Sequence, residues 1–362
     1  MKNALILMSV ISVVCLPVEG NLRLQHKLTL SSFITLKRPA FGRIPEESVW
    51  SMAFSPDGRS LAVAEGFRDT STGPVMNIVV VDLDTLSSKF SSSISTAVIW
   101  GFSWSADGKA LLVESFNGCW VFDLTRGSFC RTGEVASQEG GFISSRDFVI
   151  PRNAFSTTSL RLFDRECKPI SDELTLPESA GSLTTSDING SLAVANADSD
   201  IQILRTPDFH SVVSVPFSAG LIIRFLDNGR MLCGGPRPHQ GDATFRCWSI
   251  AVNAVKLISA WPSTKSGTEP VASAHDVPVV AFMDTGFSYS PFTERRTYSF
   301  RRWIIWDGAI GRIIDQLPAK EQQIRFGDKS SHKFPYTSAL SADGKQFAIG
   351  GAGSVEIYSL GL

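Results

Sequence analysis

Residues suited to chemistry are unevenly spread along this chain, and one stretch concentrates them. Residues 285–302 (TGFSYSPFTERRTYSFRR) set Phe287, Tyr289, Phe292, Tyr298 and Phe300 beside Arg295, Arg296, Arg301 and Arg302. Aromatic rings and guanidinium groups bring large contact area and planar hydrogen bonding, the chemistry of interface hot spots. Such a stretch suits an anionic glycan, a carboxylate-bearing ligand or a protein; the alternative is an ordered loop with packed aromatics and solvated arginines. A second group is Trp50, Trp100 and Tyr336, each standing seven residues before the Asp of a recurring turn (Asp57, Asp107, Asp343). Three large rings in equivalent places form either a platform for a sugar or peptide, or wedges between neighbouring sheets.

Groups for catalysis are sparse. His26, His210, His239, His275 and His332 are scattered, with no two at metal-ligand spacing. His275 precedes Asp276, but neighbouring residues of a strand face opposite sides of a sheet, so a relay between them is not expected. His239 reads as a solvated loop residue, and Asp198 and Asp200 read as turn residues. There is no GxSxG elbow, P-loop or dinucleotide fingerprint. The expectation is no catalytic residue, no metal and no cofactor, except that an active site assembled from several repeats would escape motif search.

The elements that must position these residues are repeats. SMAFSPDGRSLAVAEG (51–66) recurs as GFSWSADGKALLVES (101–115) and SALSADGKQFAIGG (338–351), with weaker copies at 184–197 and 223–235. Each copy reads as a strand, a tight Asp-Gly or Asn-Gly turn and a second strand; a two-residue hairpin loop favours residues that tolerate positive φ. A third strand of related type follows seven times, from MNIVVVDLDT through RRWIIWDGA to SVEIYSLGL. Taking Asp57, Asp107, Arg146, Asn189, Asn228, His275 and Asp343 as equivalent, the steps are 50, 39, 43, 39, 47 and 68 residues. A period near 40 to 45 with insertions is that of a four-stranded propeller blade. The fold class is therefore all-β, a seven-bladed β-propeller over residues 45–362.

Here the chain resembles the WD-repeat and related bacterial β-propellers, through its SPDG-type turns and the dipeptides Trp306-Asp307, Phe122-Asp123, Phe163-Asp164 and Val81-Asp82 that end third strands. It lacks a Gly-His dipeptide in each blade, so the buried Asp-His-Ser-Trp bond set of that family is not expected. The seventh blade lacks a fourth strand of its own. Residues 27–37 (KLTLSSFITLK), in the segment 21–44, are β-prone and are expected to pair with residues 355–360 as the outer strand, closing the ring. Excursions at 66–76, 234–244 and 285–300, between second and third strands, and at 316–333, between blades, all map by topology to one face. Long loops on one face are where binding is expected.

Composition agrees with a packed sheet protein. Charged residues are 19% of the 362, below the usual quarter or so, and Phe alone occurs 24 times. A formal net charge of −1 gives no global field toward nucleic acid or an acidic membrane. Lys2 and an apolar run over 4–18 end at Glu19 and Gly20, the pattern of a signal peptide over 1–20 cleaved before Asn21. The run of about fifteen residues falls short of the ~20 that span a bilayer, and bulky Val14 before Cys15 argues against lipid attachment. Export makes the other five cysteines readable. Cys119 with Cys130, and Cys233 with Cys247, are placed to face across neighbouring strands as disulfides, leaving Cys167; five buried thiols are the alternative.

The expected protein is a secreted or periplasmic monomer that does no catalysis and binds a protein or cell-envelope component through its loop-rich face, without nucleic acid or a transmembrane segment after cleavage. The alternative is a propeller hydrolase, lactonase or lyase acting on a small metabolite at the central channel.

Overall fold

In a computed structural model, described for residues 23–29 and 48–361 apart from short stretches (70–72, 97, 116, 135–139, 155–156, 177–179, 188–189, 197–199, 218–221, 236–243, 252–253, 263–267, 291–294, 326–336 and 352–353), the strands form seven four-stranded antiparallel sheets. Residues 1–20, expected to be a signal peptide, together with Cys15, Asp198, His239, Phe292, His332 and Tyr336, lie outside the described residues. The innermost strands of blades 1 to 7 are Ser48–Phe54, Ile99–Trp104, Gly141–Phe142, Ala180–Ser186, Ile222–Leu226, Thr268–Ser273 and Thr337–Leu340. Each neighbours the next, and the last neighbours the first, so the ring is closed. Among the described residues no helix is long and apolar enough to cross a membrane.

Seven clusters of buried side chains fill the seven gaps between blades. A sheet held between two others has no solvent face, so its strands are apolar at successive positions instead of alternating. Leu61, Ala62, Val63 and Ala64 illustrate this, all buried in one second strand. Leu61 and Val63 face blade 7, while Ala62 and Ala64 face blade 2. Phenylalanine serves the same gaps: Phe142, Phe148 and Phe163 fill the space between blades 2 and 3.

The ring closes through an N-terminal strand that completes blade 7. Arg23–Thr29 pairs antiparallel with Ser354–Ser359, with Arg23 opposite Ser359 and Thr29 opposite Ser354. The closing strand thus begins earlier than the expected 27–37, of which residues 30–37 lie outside the described residues. An irregularity between Leu24 and His26 sets the register so that Leu28 enters the cluster between blades 7 and 1. Lys27 meets Glu356 at 2.9 Å on the solvent side.

The turns between first and second strands differ from the expected two-residue loops. In blades 1, 2 and 7 they hold four residues, closed by the N–H of Ser55, Ser105 and Ser341 donating to the carbonyls of Ser60, Ala110 and Gln346 at 2.8, 2.9 and 3.0 Å. Each serine hydroxyl accepts the N–H of the residue five positions on, and Ser105 and Ser341 donate to Asp107 and Asp343 at 2.7 Å. With the loop amides satisfied by side chains, only the glycine after the aspartate adopts the left-handed region, as at Gly58 (φ 69°). Burial works against ionisation of Asp57, Asp107 and Asp343, but the serine hydroxyls and backbone N–H donors prevail and hold them below the usual carboxylate range. The aspartates ending third strands cap the next turn. Asp82 accepts the N–H of Asp84 and Thr85, and Asp123, Asp164 and Asp307 do likewise in their blades.

The cysteines pair differently from the expectation in one case. Cys233 and Cys247 are bonded, as their register positions directly opposite each other allow. Cys130, however, joins Cys167, linking the outer strand of blade 2 to a turn of blade 3 across 5.9 Å between Cα atoms. The expected Cys119–Cys130 pair does not form because Cys130 lies opposite Val121, which leaves Cys119 on the diagonal; Cys119 is a buried thiol in the same inter-blade cluster.

Two outcomes follow from this packing. Leu28→Ala is expected to cost about 2–5 kcal/mol, and loss of residues 23–29 more, read as a lowered thermal midpoint; an unchanged midpoint would contradict ring closure by this strand. Peptide mapping under non-reducing conditions is expected to recover Cys130 with Cys167 and Cys233 with Cys247, with Cys119 alkylated only after unfolding. Recovery of a Cys119–Cys130 peptide would overturn the assignment.

Candidate functional site

The loop-rich face is built from strands that outrun their blades. Around the expected excursion 66–76, Ser60–Asp69 and Gly73–Asp82 stay paired out to Asp69 opposite Gly73. In blade 6, Val279–Ser290 and Arg295–Asp307 remain paired from Asp307 to Arg295, and Arg312–Arg325 runs alongside as far as Thr297. Residues 285–290 and 295–302 therefore form a paired extension of the strands, because β-branched, aromatic and serine residues alternate through TGFSYS and RTYSF as strands require. Phe287 stands opposite Tyr298, Tyr289 opposite Arg296, and Arg301 is the extra residue where the register shifts.

Arg302 anchors the extension at its base. Its Nε donates to Asp284 at 3.0 Å and its Nη1 to Gln316 at 2.9 Å, with Asp284 only 4% exposed. The charge that would make Arg302 a docking group is already engaged by a carboxylate of its own sheet.

The inner strands enclose a channel of about 380 Å³. At its loop-side mouth Trp50 and Trp100 line the channel and are 44% and 46% exposed. Each sits at a register shift, between Val49 and Ser51 and between Ile99 and Gly101, so each is the extra residue of a bulge in the inner strand. Bulges re-aim side chains; the same shift falls at Gly181 in blade 4 and Val271 in blade 6, and in blades 1 and 2 it leaves large rings at the mouth. The Trp50 indole lies over Gly66, whose missing side chain leaves it room.

Below the mouth the wall is polar. Glu114, 1% exposed, accepts the N–H of Gly140, and Arg224 lines the channel from blade 5. Ser103 accepts the N–H of Phe142 at 3.0 Å and Thr184 that of Phe225 at 3.4 Å, each hydroxyl satisfying a backbone donor of the following blade.

The turn-side end carries a group that sequence reasoning set aside. His275 Nε2 lies 2.9 Å from Asp187, and Nδ1 lies 2.8 Å from Asp276. The alternating-face argument does not apply because His275 and Asp276 occupy a bend closed by Ala274 N–H donating to Val279 O at 2.9 Å. Asp187 comes from blade 4, so the imidazole spans blade 5 between them. The His275 carbonyl accepts Asn228 N–H, and Asp276 N–H donates to Ala342 O, each at 2.8 Å. A signal was present in the adjacent His-Asp pair, but the Asp187 partner has no local sequence mark. The contact with Asp187 is the largest influence on His275, and with Asp276 it outweighs burial and lifts the imidazole to about 9. Acidic and basic groups of the channel are thus divided between its two ends, and among the described residues no three His, Cys, Asp or Glu are grouped to hold a metal ion.

No protein-family profile matches the chain, and no curated protein matches it. Among solved structures, it is similar to the β-propeller domain of Cps50 (Swd1) from Myceliophteria thermophila, with a TM-score of 0.61 at 13% identity over 94% of this chain and 99% of that one. At that identity the likeness establishes the fold alone, that of a β-propeller, here with seven blades.

A group whose pKa is raised in the folded state stabilises fully below its unfolded value, near 6.5, and loses that contribution as pH rises through the folded value. The thermal midpoint is therefore expected to fall between about pH 6.5 and 9 in the wild type and to do so less in His275→Gln, measured by calorimetry. Superimposable pH profiles would contradict the ion-pair assignment.

Proposed function

We propose that this protein is a secreted, non-catalytic propeller that binds a protein or cell-envelope component through its loop-side face. The observation that carries this reading is the projecting three-stranded extension of blade 6 on the face where Trp50 and Trp100 stand exposed. A propeller keeps its backbone groups paired within blades and leaves one end of the ring to vary in strand length, which is the arrangement of a scaffold presenting a binding surface. Two cysteine pairs at bonding distance support an oxidising compartment, as does the apolar run after Lys2. The separation of Glu114 from Asp187 and His275 along the channel favours binding over acid–base chemistry, which needs its groups within reach of one substrate.

Because Arg302 braces Asp284, the test uses Arg295, Arg296 and Arg301. Replacing these three with Ala is expected to reduce recovery of envelope partners several-fold in pull-downs from native envelope, with an unchanged thermal midpoint. Partner lists identical to wild type would remove the extension as the binding surface.

A further inference from the structure

We propose that the mouth of the central channel is a saccharide-binding site, in which Trp50 and Trp100 stack on sugar rings and the polar wall beneath them binds ring hydroxyls. This goes beyond the binding of a partner by the blade 6 extension, and requires none of that extension's residues.

Exposure of the rings is the first argument. A tryptophan side chain offers roughly 150–250 Å² for burial, and the gaps between blades are where this fold buries such area. Trp104, Trp120, Trp303 and Trp306 do enter those gaps and are buried. Trp50 and Trp100, in neighbouring blades, are instead turned out by the same kind of bulge at the same place. A bulge leaves one residue out of the ladder; the same bulge falls at Gly181 in blade 4 and Val271 in blade 6, and in blades 1 and 2 the residue it turns out is a tryptophan, which sets two rings at the mouth. Gly66 adds to this, since any larger residue there would collide with the indole of Trp50. The platform is seated on backbone, which limits the ordering a ligand must impose.

The wall supplies the second argument. A pyranose has an apolar C–H face and a rim of hydroxyls that both donate and accept. Indoles match the face. The rim needs acceptors and donors, and the channel offers the part-buried guanidinium of Arg224 and the part-buried hydroxyls of Ser103 and Thr184. A serine or threonine oxygen that accepts a backbone N–H keeps its own O–H to donate, as at Ser103 and Thr184. The volume of about 380 Å³ falls in the range of small-ligand sites, roughly 300–1,000 Å³.

The test is titration calorimetry with intrinsic fluorescence on the full chain. The probes are glucose, maltose, cellobiose, N-acetylglucosamine and its β-1,4-linked dimer and trimer, with an alanine tetrapeptide and indole as non-saccharide controls. At least one saccharide is expected to bind with a dissociation constant below about 10 mM, shift the emission to the blue and shield tryptophan from acrylamide. Trp50→Ala and Trp100→Ala should each weaken that binding roughly tenfold, or about 1.4 kcal/mol, while Trp50→Phe retains part of it. Circular dichroism and the thermal midpoint would verify that each variant is folded. Binding by no saccharide, by the controls alone, or equally by the folded double variant Trp50→Ala/Trp100→Ala would overturn the proposal. Saccharide binding unchanged by the Arg295, Arg296 and Arg301 substitutions would keep this site distinct from the partner surface, whichever way the pull-down falls.

Discussion

Burial of apolar side chains between successive blades is the interaction on which everything else here depends. A four-stranded sheet of short strands cannot stand alone in water with apolar residues on both faces. Each blade is stable only because a neighbour covers it on either side, and that condition is met for all seven only when the ring closes. The energetics resemble those of repeat proteins, where intrinsic unit stability is low and interfaces supply the rest, with the difference that a ring has no terminal unit to cap. Leu28 shows the dependence at one residue: it lies on a strand remote in sequence from Val355 and Ile357, yet shares their cluster with Val49 and Leu61 of blade 1.

Closure also creates the channel and dictates its chemistry. The inner strands of neighbouring blades diverge too far to form a continuous ladder, so their backbone donors need other partners. Hydroxyls of the preceding blade supply them, as Ser103 does for Phe142 and Ser182 for Ile223. Trp104 adds a further tie, donating its indole N–H to Ala53 O at 3.1 Å. The channel is consequently lined with hydroxyls for structural reasons before any ligand is considered. At the turn-side end the same need for ties between blades is met by charge, with His275 held between Asp187 and Asp276. Towards the loop-side end Glu114 of blade 2 accepts the N–H of Gly140 ahead of blade 3, and there the strands lengthen and the two tryptophans stand out.

Much of this was legible in the sequence, for a physical reason. The turn aspartates and glycines recur because the local hydrogen-bond set Ser55–Asp57–Gly58–Ser60 is self-contained, so it leaves a local mark that repeats as Ser105–Asp107 and Ser341–Asp343. Seven blades and closure by an N-terminal strand could be read from that mark. What escaped was whatever depends on register or on partners far apart in sequence. The closing strand was placed too late because residues 23–26 are no more β-prone than their neighbours, and the position of Leu28 in the cluster decides the pairing. Cys130 sits on the same face as Cys119 but within reach of Cys167, a distinction of register. The pairing of Asp187 with His275 exists only after the ring closes. At the candidate site, Trp50 and Trp100 were marked by equivalent position, whereas the bulges that turn them outward depend on pairing with the second strand. The stretches 285–290 and 295–302 were recognised by their composition and read as a loop, since alternation inside a segment rich in serine and arginine is a weak strand signal.

Amide hydrogen exchange of the full chain tests the account at its centre. If ring closure holds the molecule together, amides of Arg23–Thr29 and Ser354–Ser359 that bond to one another will exchange as slowly as those pairing Gln346–Gly350 with Ser354–Ser359, and all will lose protection together as denaturant is raised. Rapid exchange in Arg23–Thr29 while the seven sheets stay protected would show that the blades cohere without the closing strand, and would contradict the account.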